Sequence, residues 1–352
     1  MRNNIITILK ILAFLSIGLG ILYILYISLN QKFLEDCVAR GIAPEDCNLL
    51  QKVWLDIKSA NPFWLLVITI CFFVSNVSRA LRWQQLIASI GYRTRFLNNF
   101  HTIMLGYFAN LGFPRIGEVV RAGSFSKYEQ VPFDKTMGTV VVDRTIDMVC
   151  LLTVIGFAFL LEYDVLWGYL SENASLDILM ILKKPWFISV AALCIFCAFW
   201  AYRNWARLKQ YAFIRKIRDL ILGFLEGFAS IGKVKNIPLL LAYTVVIWLM
   251  YYLMTYLCFN AFDPTAGLGM EAGLMIFVFG SIGMVIPSPG GLGSYHGMVI
   301  VGLLLYGVAE ADAFSFAMII FFTINIFGNI LFGLIALLLL PGYNKNYVPS
   351  RE

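Results

Sequence analysis

Apolar residues run along this chain in long blocks, and the charges gather between them. Ile5 to Leu29 carries a single charge, Lys10. Further blocks run from Pro62 to about Leu81, Thr136 to Leu161, Trp186 to Tyr202, Pro238 to Cys258 and Phe314 to Leu340. A helix needs about 20 apolar residues to cross a bilayer, so these blocks predict six full transmembrane helices. The first is too long for a signal-peptide core and has no convincing cleavage site, so it is read as a helix.

Two more apolar segments are short and broken. Leu97 to Phe113 runs into Pro114, and the return limb begins with Arg115, Gly117, Glu118 and Arg121. Proline disfavours helix at the residue before it, and Gly112 adds freedom there. Ala272 to Ile286 runs into Pro287-Ser288-Pro289-Gly290-Gly291-Leu292-Gly293-Ser294-Tyr295-His296-Gly297, and Met298 to Tyr306 forms a second short limb.

Lysine and arginine are concentrated at the N-terminus, in the 82–135 and 203–235 regions and in the tail with Lys345 and Arg351. By the positive-inside rule these parts are cytoplasmic, and the loops at 30–61, 162–184 and 260–270 lie outside. The 203–235 region is read as holding an amphipathic helix at the interface. With six crossings assigned, each broken segment must return to the side it entered from. They enter from opposite faces, as in an inverted-topology repeat, where broken helices at matching positions point to a transporter's binding site. The alternative is that each pair of limbs spans twice with ordinary interfacial turns. The predicted fold is thus an all-α integral membrane protein, with six full transmembrane helices and two broken, re-entrant segments in an inverted-repeat-like arrangement.

Composition agrees. Of 352 residues, 60% are hydrophobic and 14% charged, and the mean hydropathy is +0.78. No long polar block interrupts the pattern, so residues 1–352 read as a single polytopic membrane domain without an attached soluble enzyme. The net charge of +6 sits mostly in loops between spans and gives no nucleic-acid signal.

The candidate chemistry lies at the breaks. Arg79, Arg115 and Arg121 suit bidentate contact with phosphate oxygens; the alternative is anchoring to anionic headgroups. Anchoring is the favoured reading for Arg82, Arg93 and Arg95, with Ser78 to Trp83 as a basic and aromatic interfacial belt. Asp143 and Asp147 are four apart and Arg144 and Asp147 three apart, so they interact along one helix. They serve either as a structural pair or as direct substrate contacts, and Glu118 is a similar candidate. The Pro287–Gly297 stretch offers backbone N–H groups as an anion nest, or is a flexible turn. His296 is read as a hydrogen-bonded structural residue or as a proton or headgroup contact.

Other chemistry is poorly supplied. Two histidines give no His-rich metal site, and no nucleophile–base pair stands out. No cofactor is implied, and whether the chain is an enzyme stays open. Cys194 and Cys197 form a CxxC within an apolar block, where a metal or redox role is not expected. Cys37 and Cys47 each end a Glu-Asp-Cys tripeptide in a polar loop, and a disulfide depends on that loop facing an oxidising compartment.

Three stretches together resemble the transmembrane region of lysylphosphatidylglycerol synthases, a flippase-like family. They are Asn110-Leu111-Gly112-Phe113-Pro114-Arg115-Ile116-Gly117-Glu118-Val119-Val120-Arg121, Val142-Asp143-Arg144-Thr145-Ile146-Asp147 and Pro287-Ser288-Pro289-Gly290-Gly291-Leu292-Gly293. The resemblance implies a polytopic helical protein related to the lipid-flipping half of aminoacyl-phospholipid synthases. Those two-part enzymes carry a soluble aminoacyltransferase domain after the membrane part. This chain stops at Glu352, so synthesis of lysyl-lipid is not implied.

The expectation is therefore a flippase-like translocase moving a phosphate-bearing lipid headgroup across the inner membrane of a bacterium. Arg79, Asn110, Arg115, Glu118, Arg121, Asp143, Arg144, Asp147, Pro289, Gly290, Gly291, Gly293 and His296 would form the substrate site. Arg115 and Arg121 would hold phosphate, and Glu118, Asp143 and Asp147 would balance charge or hold an amine. The alternative is an integral-membrane transferase, or an accessory protein, acting on lipid-linked sugars. The expected partners are membrane lipid and, as an open option, a separate lipid-modifying enzyme; nucleic acid is not among them.

Overall fold

The computed structural model describes residues 2–39, 41–43, 47–112, 116–165, 167, 232, 234–286 and 288–349. Among them are eleven α-helices and no β-strand. They are α1 (Arg2–Ala39), α2 (Leu49–Ser59), α3 (Pro62–Ser89), α4 (Phe96–Gly112), α5 (Ile116–Glu129), α6 (Phe133–Leu161), α7 (Ile237–Phe259), α8 (Met270–Val285), α9 (Ser294–Leu304), α10 (Glu310–Phe321) and α11 (Asn329–Asn344). A π-helical segment, Phe322–Gly328, joins α10 to α11, so Glu310–Asn344 is one 35-residue rod.

Four of these elements are long and apolar enough to cross a membrane: α3, α6, α7 and the α10–α11 rod. At 1.5 Å per residue, the 28 residues of α3 extend roughly 42 Å. The chain is an integral membrane protein. The first predicted span falls within α1, which is a single 38-residue helix. The predicted span at Trp186 to Tyr202, its CxxC and the amphipathic helix predicted for the 203–235 region lie outside the described residues, apart from a few at 232–235.

Helix starts follow local chemistry. Asn61 caps α3 by accepting from the Phe63 amide, and Pro62 occupies the first position, where a missing N–H costs nothing. Asn236 caps α7 by accepting from the Leu239 amide. Asn48 does the same for α2 through Gln51. Four of the remaining helices are short. α4, α5, α8 and α9 have 17, 14, 16 and 11 residues, so each is shorter than the ~30 Å hydrocarbon core.

The short helices form two hairpins, α4 with α5 and α8 with α9. In the first, Gly106 and Gly117 bring the two backbones together. A β-carbon at Gly106 would lie 2.8 Å from the Gly117 carbonyl oxygen, and one at Gly117 would collide with the Gly106 carbonyl. The second hairpin is joined by a one-turn 3-10 segment, Pro289–Gly291. There Gly290, Gly291 and Gly293 take φ of 57°, 82° and 84°, which a β-carbon disfavours. Around the hairpins, α3 packs along α7 and α4 packs against α11.

On the face bearing α2, a polar network ties the two ends of the chain together. Lys52 Nζ lies 2.6 Å from both Asp56 Oδ2 and Asp312 Oδ1. The Ser315 hydroxyl donates to Asp56 at 2.6 Å. Cys37, in the last turn of α1, and Cys47 are both buried, and the Cys47 thiol contacts the Ala43 carbonyl at 3.4 Å.

Candidate functional site

Arginines 79 and 82 are three apart on α3, and aspartates 143 and 147 are four apart on α6, so each pair occupies one helix face. The two faces meet. Arg79 Nη1 donates to Asp147 Oδ2 at 2.6 Å and lies 3.4 Å from Asp143 Oδ2. Arg82 donates to Asp143 Oδ1 through Nε at 2.9 Å and Nη2 at 2.6 Å, and its Nη2 also reaches Asp147 Oδ1 at 2.7 Å. Arg82 and Asp143 are fully buried, while Asp147 is 14% exposed.

α5 adds a third arm. Arg121 Nη1 donates to Asp143 Oδ2 at 3.0 Å, and its guanidinium carbon sits 3.9 Å from the Trp83 ring centre. The indole N–H of Trp83 is held by Thr139 Oγ1 at 3.0 Å, which fixes the stacking surface. α7 contributes Tyr251, whose hydroxyl accepts from Arg79 Nη2 at 3.0 Å, and Thr244, 3.4 Å from Arg82 Nη1. Nearest the outside, Arg144 Nη2 pairs with Glu118 Oε1 at 3.0 Å; these side chains are 38% and 22% exposed.

The cluster does not balance. Among the described residues it joins four arginines (79, 82, 121 and 144) to three carboxylates (118, 143 and 147). Its donors also outnumber its acceptors. Arg79 Nε, Arg121 Nε and Nη2 and Arg144 Nε are buried without a hydrogen-bond partner, as is Glu118 Oε2. Buried charge is tolerated when paired and costly when not, and among the described residues this set carries one more guanidinium than carboxylate.

The two chain breaks converge next to it. Asn110 Oδ1 accepts the Gly117 amide at 2.7 Å, linking the end of α4 to the start of α5. The 3-10 turn packs against the same end of α4: a β-carbon on Gly290 would stand 3.5 Å from the Leu111 side chain and 3.9 Å from the Asn110 carbonyl oxygen. On its other side, Gly293 abuts Ile21 and Leu22 in the middle of α1. The turn is therefore held within the bundle.

A model of the lysylphosphatidylglycerol synthase TM region family matches residues 49–333. This chain belongs to that family. Every described member of the cluster, from Arg79 to Tyr251, and both breaks fall inside the matched stretch. Curated relatives are archaeal. A UPF0104 membrane protein of Methanothermobacter thermautotrophicus is 24% identical over 272 residues, 72% of this chain and 79% of that one. The UPF0104 membrane protein MJ1595 of Methanocaldococcus jannaschii is 28% identical over 169 residues, 43% of this chain and half the length of that relative. MJ1078 of the same organism is 23% identical over 225 residues, 62% of this chain and 89% of its own. No solved structure matches.

Of the residues singled out in the sequence, Arg79, Glu118, Arg121, Asp143, Arg144 and Asp147 come together in the cluster. Asn110, Gly290, Gly291 and Gly293 belong to the joined breaks. Arg115 and Pro114 lie outside the described residues. His296 is fully buried against Phe321, with ring centres 4.5 Å apart. Both its nitrogens lack a hydrogen-bond partner among the described residues, so the hydrogen-bonded role is not what the structure shows.

Arg82 corrects the sequence reading. It is not an interfacial anchor: like Arg79 it bridges both aspartates, and it does so at 0% exposure. Trp83 is equally buried. The i, i+3 spacing of Arg79 and Arg82, matched to a carboxylate pair at i, i+4 on another apolar helix, was the available signal. Thr244 and Tyr251 carried none, since each lies in an apolar run beside a tyrosine, and nothing in the sequence singles it out.

Proposed function

We propose that this protein is a flippase-like lipid translocase that moves a phosphate-bearing headgroup through the membrane, passing the cluster beside the two broken segments. The observation that carries the reading is the surplus of buried arginine donors where α5 meets α6, next to breaks in both hairpins. Intramembrane ionisable residues are costly and mark substrate pathways by default. Non-helical backbone at membrane depth is tolerated only against protein or a water-filled cavity.

In this reading Asp143 and Asp147 hold Arg79, Arg82 and Arg121 in place, and Arg121 with Arg144 meets the phosphate. Arg115 is assigned to the same phosphate on its place in the sequence. The glycines of the 3-10 turn allow close backbone approach. The two hairpins are the re-entrant limbs of an inverted repeat between six full spans, with both termini cytoplasmic in a bacterial inner membrane.

A headgroup-accessibility assay in proteoliposomes tests this. Fluorescent phospholipid placed in one leaflet should exchange in the presence of the protein, and Arg121→Gln should abolish exchange. Product formation from lipid-linked sugar without leaflet exchange would replace the translocase with a transferase.

A further inference from the structure

The open end of the α4–α5 hairpin, where α4 starts at Phe96 and α5 stops at Glu129, is closed by the residues around the end of α11. The Glu129 carboxylate, 2% exposed, joins the two short helices. Its Oε1 accepts the Arg95 backbone amide at 3.0 Å and the Asn98 side-chain amide at 2.6 Å. A carboxylate at the start of α4 also meets the positive end of that helix's dipole. Gln130 then turns the chain away with φ 51°.

α11 supplies the other half. Asn98 and Asn344 exchange two amide hydrogen bonds, at 2.8 and 2.7 Å. After Asn344 the described chain is no longer helical, and the Tyr347 hydroxyl donates to Glu129 Oε2 at 2.9 Å. The Arg95 guanidinium covers the Tyr347 ring at 3.6 Å, and its Nη1 lies 3.4 Å from the Tyr343 carbonyl oxygen. α4 packs against α11, and Tyr347 carries that contact across to α5. Arg121 precedes Glu129 by about two turns of the same helix.

We infer that residues 343–347 form a releasable strap: docked, it holds α5 where Arg121 reaches Asp143, and released, it frees the open end of the α4–α5 hairpin to move against α6. What the movement does rests on the translocase reading, in which it opens the lipid path. The strap is held by polar contacts close to water, with Tyr343 44% and Val348 83% exposed. Segments with few buried apolar contacts and accessible hydrogen bonds open locally, well below the cost of global unfolding. The receiving side is different. Glu129 and Asn98 are 2% and 1% exposed, and Glu129 keeps its bonds to Arg95 and Asn98 when Tyr347 leaves, so the docking site survives release. At the other end of the hairpin the Gly106 and Gly117 backbones are in close approach. That end acts as the hinge, and the strapped end is the one that moves.

Locking the strap separates this device from a merely structural contact. Arg95→Cys with Tyr343→Cys, two exposed positions that leave Glu129, Asn98 and Tyr347 in place, can be bridged by a short reducible bifunctional thiol reagent. In proteoliposomes the bridge should stop leaflet exchange of fluorescent phospholipid, and reductant should restore it; the parent chain treated alike controls for its own cysteines. Weakening the strap should do the opposite. Tyr347→Phe removes one hydrogen bond to a carboxylate, so amide hydrogen exchange at the start of α4 and the end of α5 should quicken about ten-fold, while α3 and α7 stay protected. Lipid exchange that persists through the bridge overturns the inference. So does a Tyr347→Phe variant with unchanged amide exchange, or one whose loosening spreads to α3 and α7. A parent chain that moves no lipid, together with local loosening in Tyr347→Phe, would sink the translocase and leave the strap standing.

Discussion

Replacing Asp143 by asparagine tests whether the cluster sits in a dry, low-dielectric interior. The side chain is fully buried and faces three guanidinium groups, with nearest nitrogens at 2.6, 3.0 and 3.4 Å. Asparagine keeps the shape and one carbonyl acceptor, so the change is almost purely one of charge. At an effective dielectric near 20, one ion pair about 4 Å apart is worth roughly 4 kcal/mol. Three such attractions are offset by repulsion from Asp147 and by the cost of burying the carboxylate. What survives is the cost of removing one partner of a buried network, about 3–5 kcal/mol.

The three carboxylates should then rank by burial. Asp147→Asn, at a 14% exposed carboxylate with two close arginines, should cost somewhat less than Asp143→Asn. Glu118→Gln, with a single bridge to a 38% exposed Arg144, should cost at most about 1 kcal/mol, as exposed pairs do. Unfolding of the purified protein in mixed micelles, driven by a rising fraction of denaturing detergent, gives the three values on one scale. A loss under about 1 kcal/mol for Asp143→Asn, or an inverted order, would mean that water screens the site and that the pairing argument fails.

Three other expectations follow from separate parts of the fold. Gly117→Ala should splay the α4–α5 hairpin, because its β-carbon collides with the Gly106 carbonyl; the loss should sit near the top of the ~1–3 kcal/mol range for overpacking, and lipid exchange should fall with it. Gly290→Ala has room for its methyl, so its cost in the same unfolding measurement should be backbone strain alone, about 1–2 kcal/mol for a non-glycine residue at positive φ. Burial works to lower the Lys52 pKa, but hydrogen bonds and attraction from Asp312 and Asp56 outweigh it and hold the group above its ordinary 10.5. The protonated form is thus the stabilising one, so its contribution is complete below pH 10.5 and is lost as pH rises through the higher folded value. Thermal unfolding scanned upward from pH 9 should show that decline, and Lys52→Met should remove it.

Much of this architecture was legible in the order of residues. Length and apolarity fix the long helices because a backbone in hydrocarbon has to satisfy its own hydrogen bonds. The breaks at Pro114 and at Pro287 to Gly293 were visible because proline and glycine act locally. Pairing was not legible in the same way. Arg82 lies at the end of an apolar run, four residues before Leu86, and by sequence it reads as an anchor. Its partners are 61 and 65 residues away. Only the packing of α3 against α6 turns an interfacial charge into a buried one. The excess of arginine donors was hidden for the same reason, since it is a sum over four helices and no single helix carries it.

The contacts also explain why so much charge is spent on neighbours before any ligand arrives. A turn with three glycines at positive φ holds its shape inside a bundle only if the surfaces around it stay fixed. One of those surfaces is the end of α4, which is tied to α5 by the Gly106–Gly117 approach and by Asn110. α5 is in turn held by Arg121, through Asp143 and the Trp83 ring, to α6 and α3. Lipid tails are as apolar as leucine and give these helices little hydrophobic reason to stay together. Buried ion pairs supply the missing cohesion where small residues alone do not. The same carboxylates that fix the frame leave Arg121 and Arg144 with unpartnered donors, so in the proposed translocase the cohesion of the frame and the contact with phosphate would come from one set of side chains.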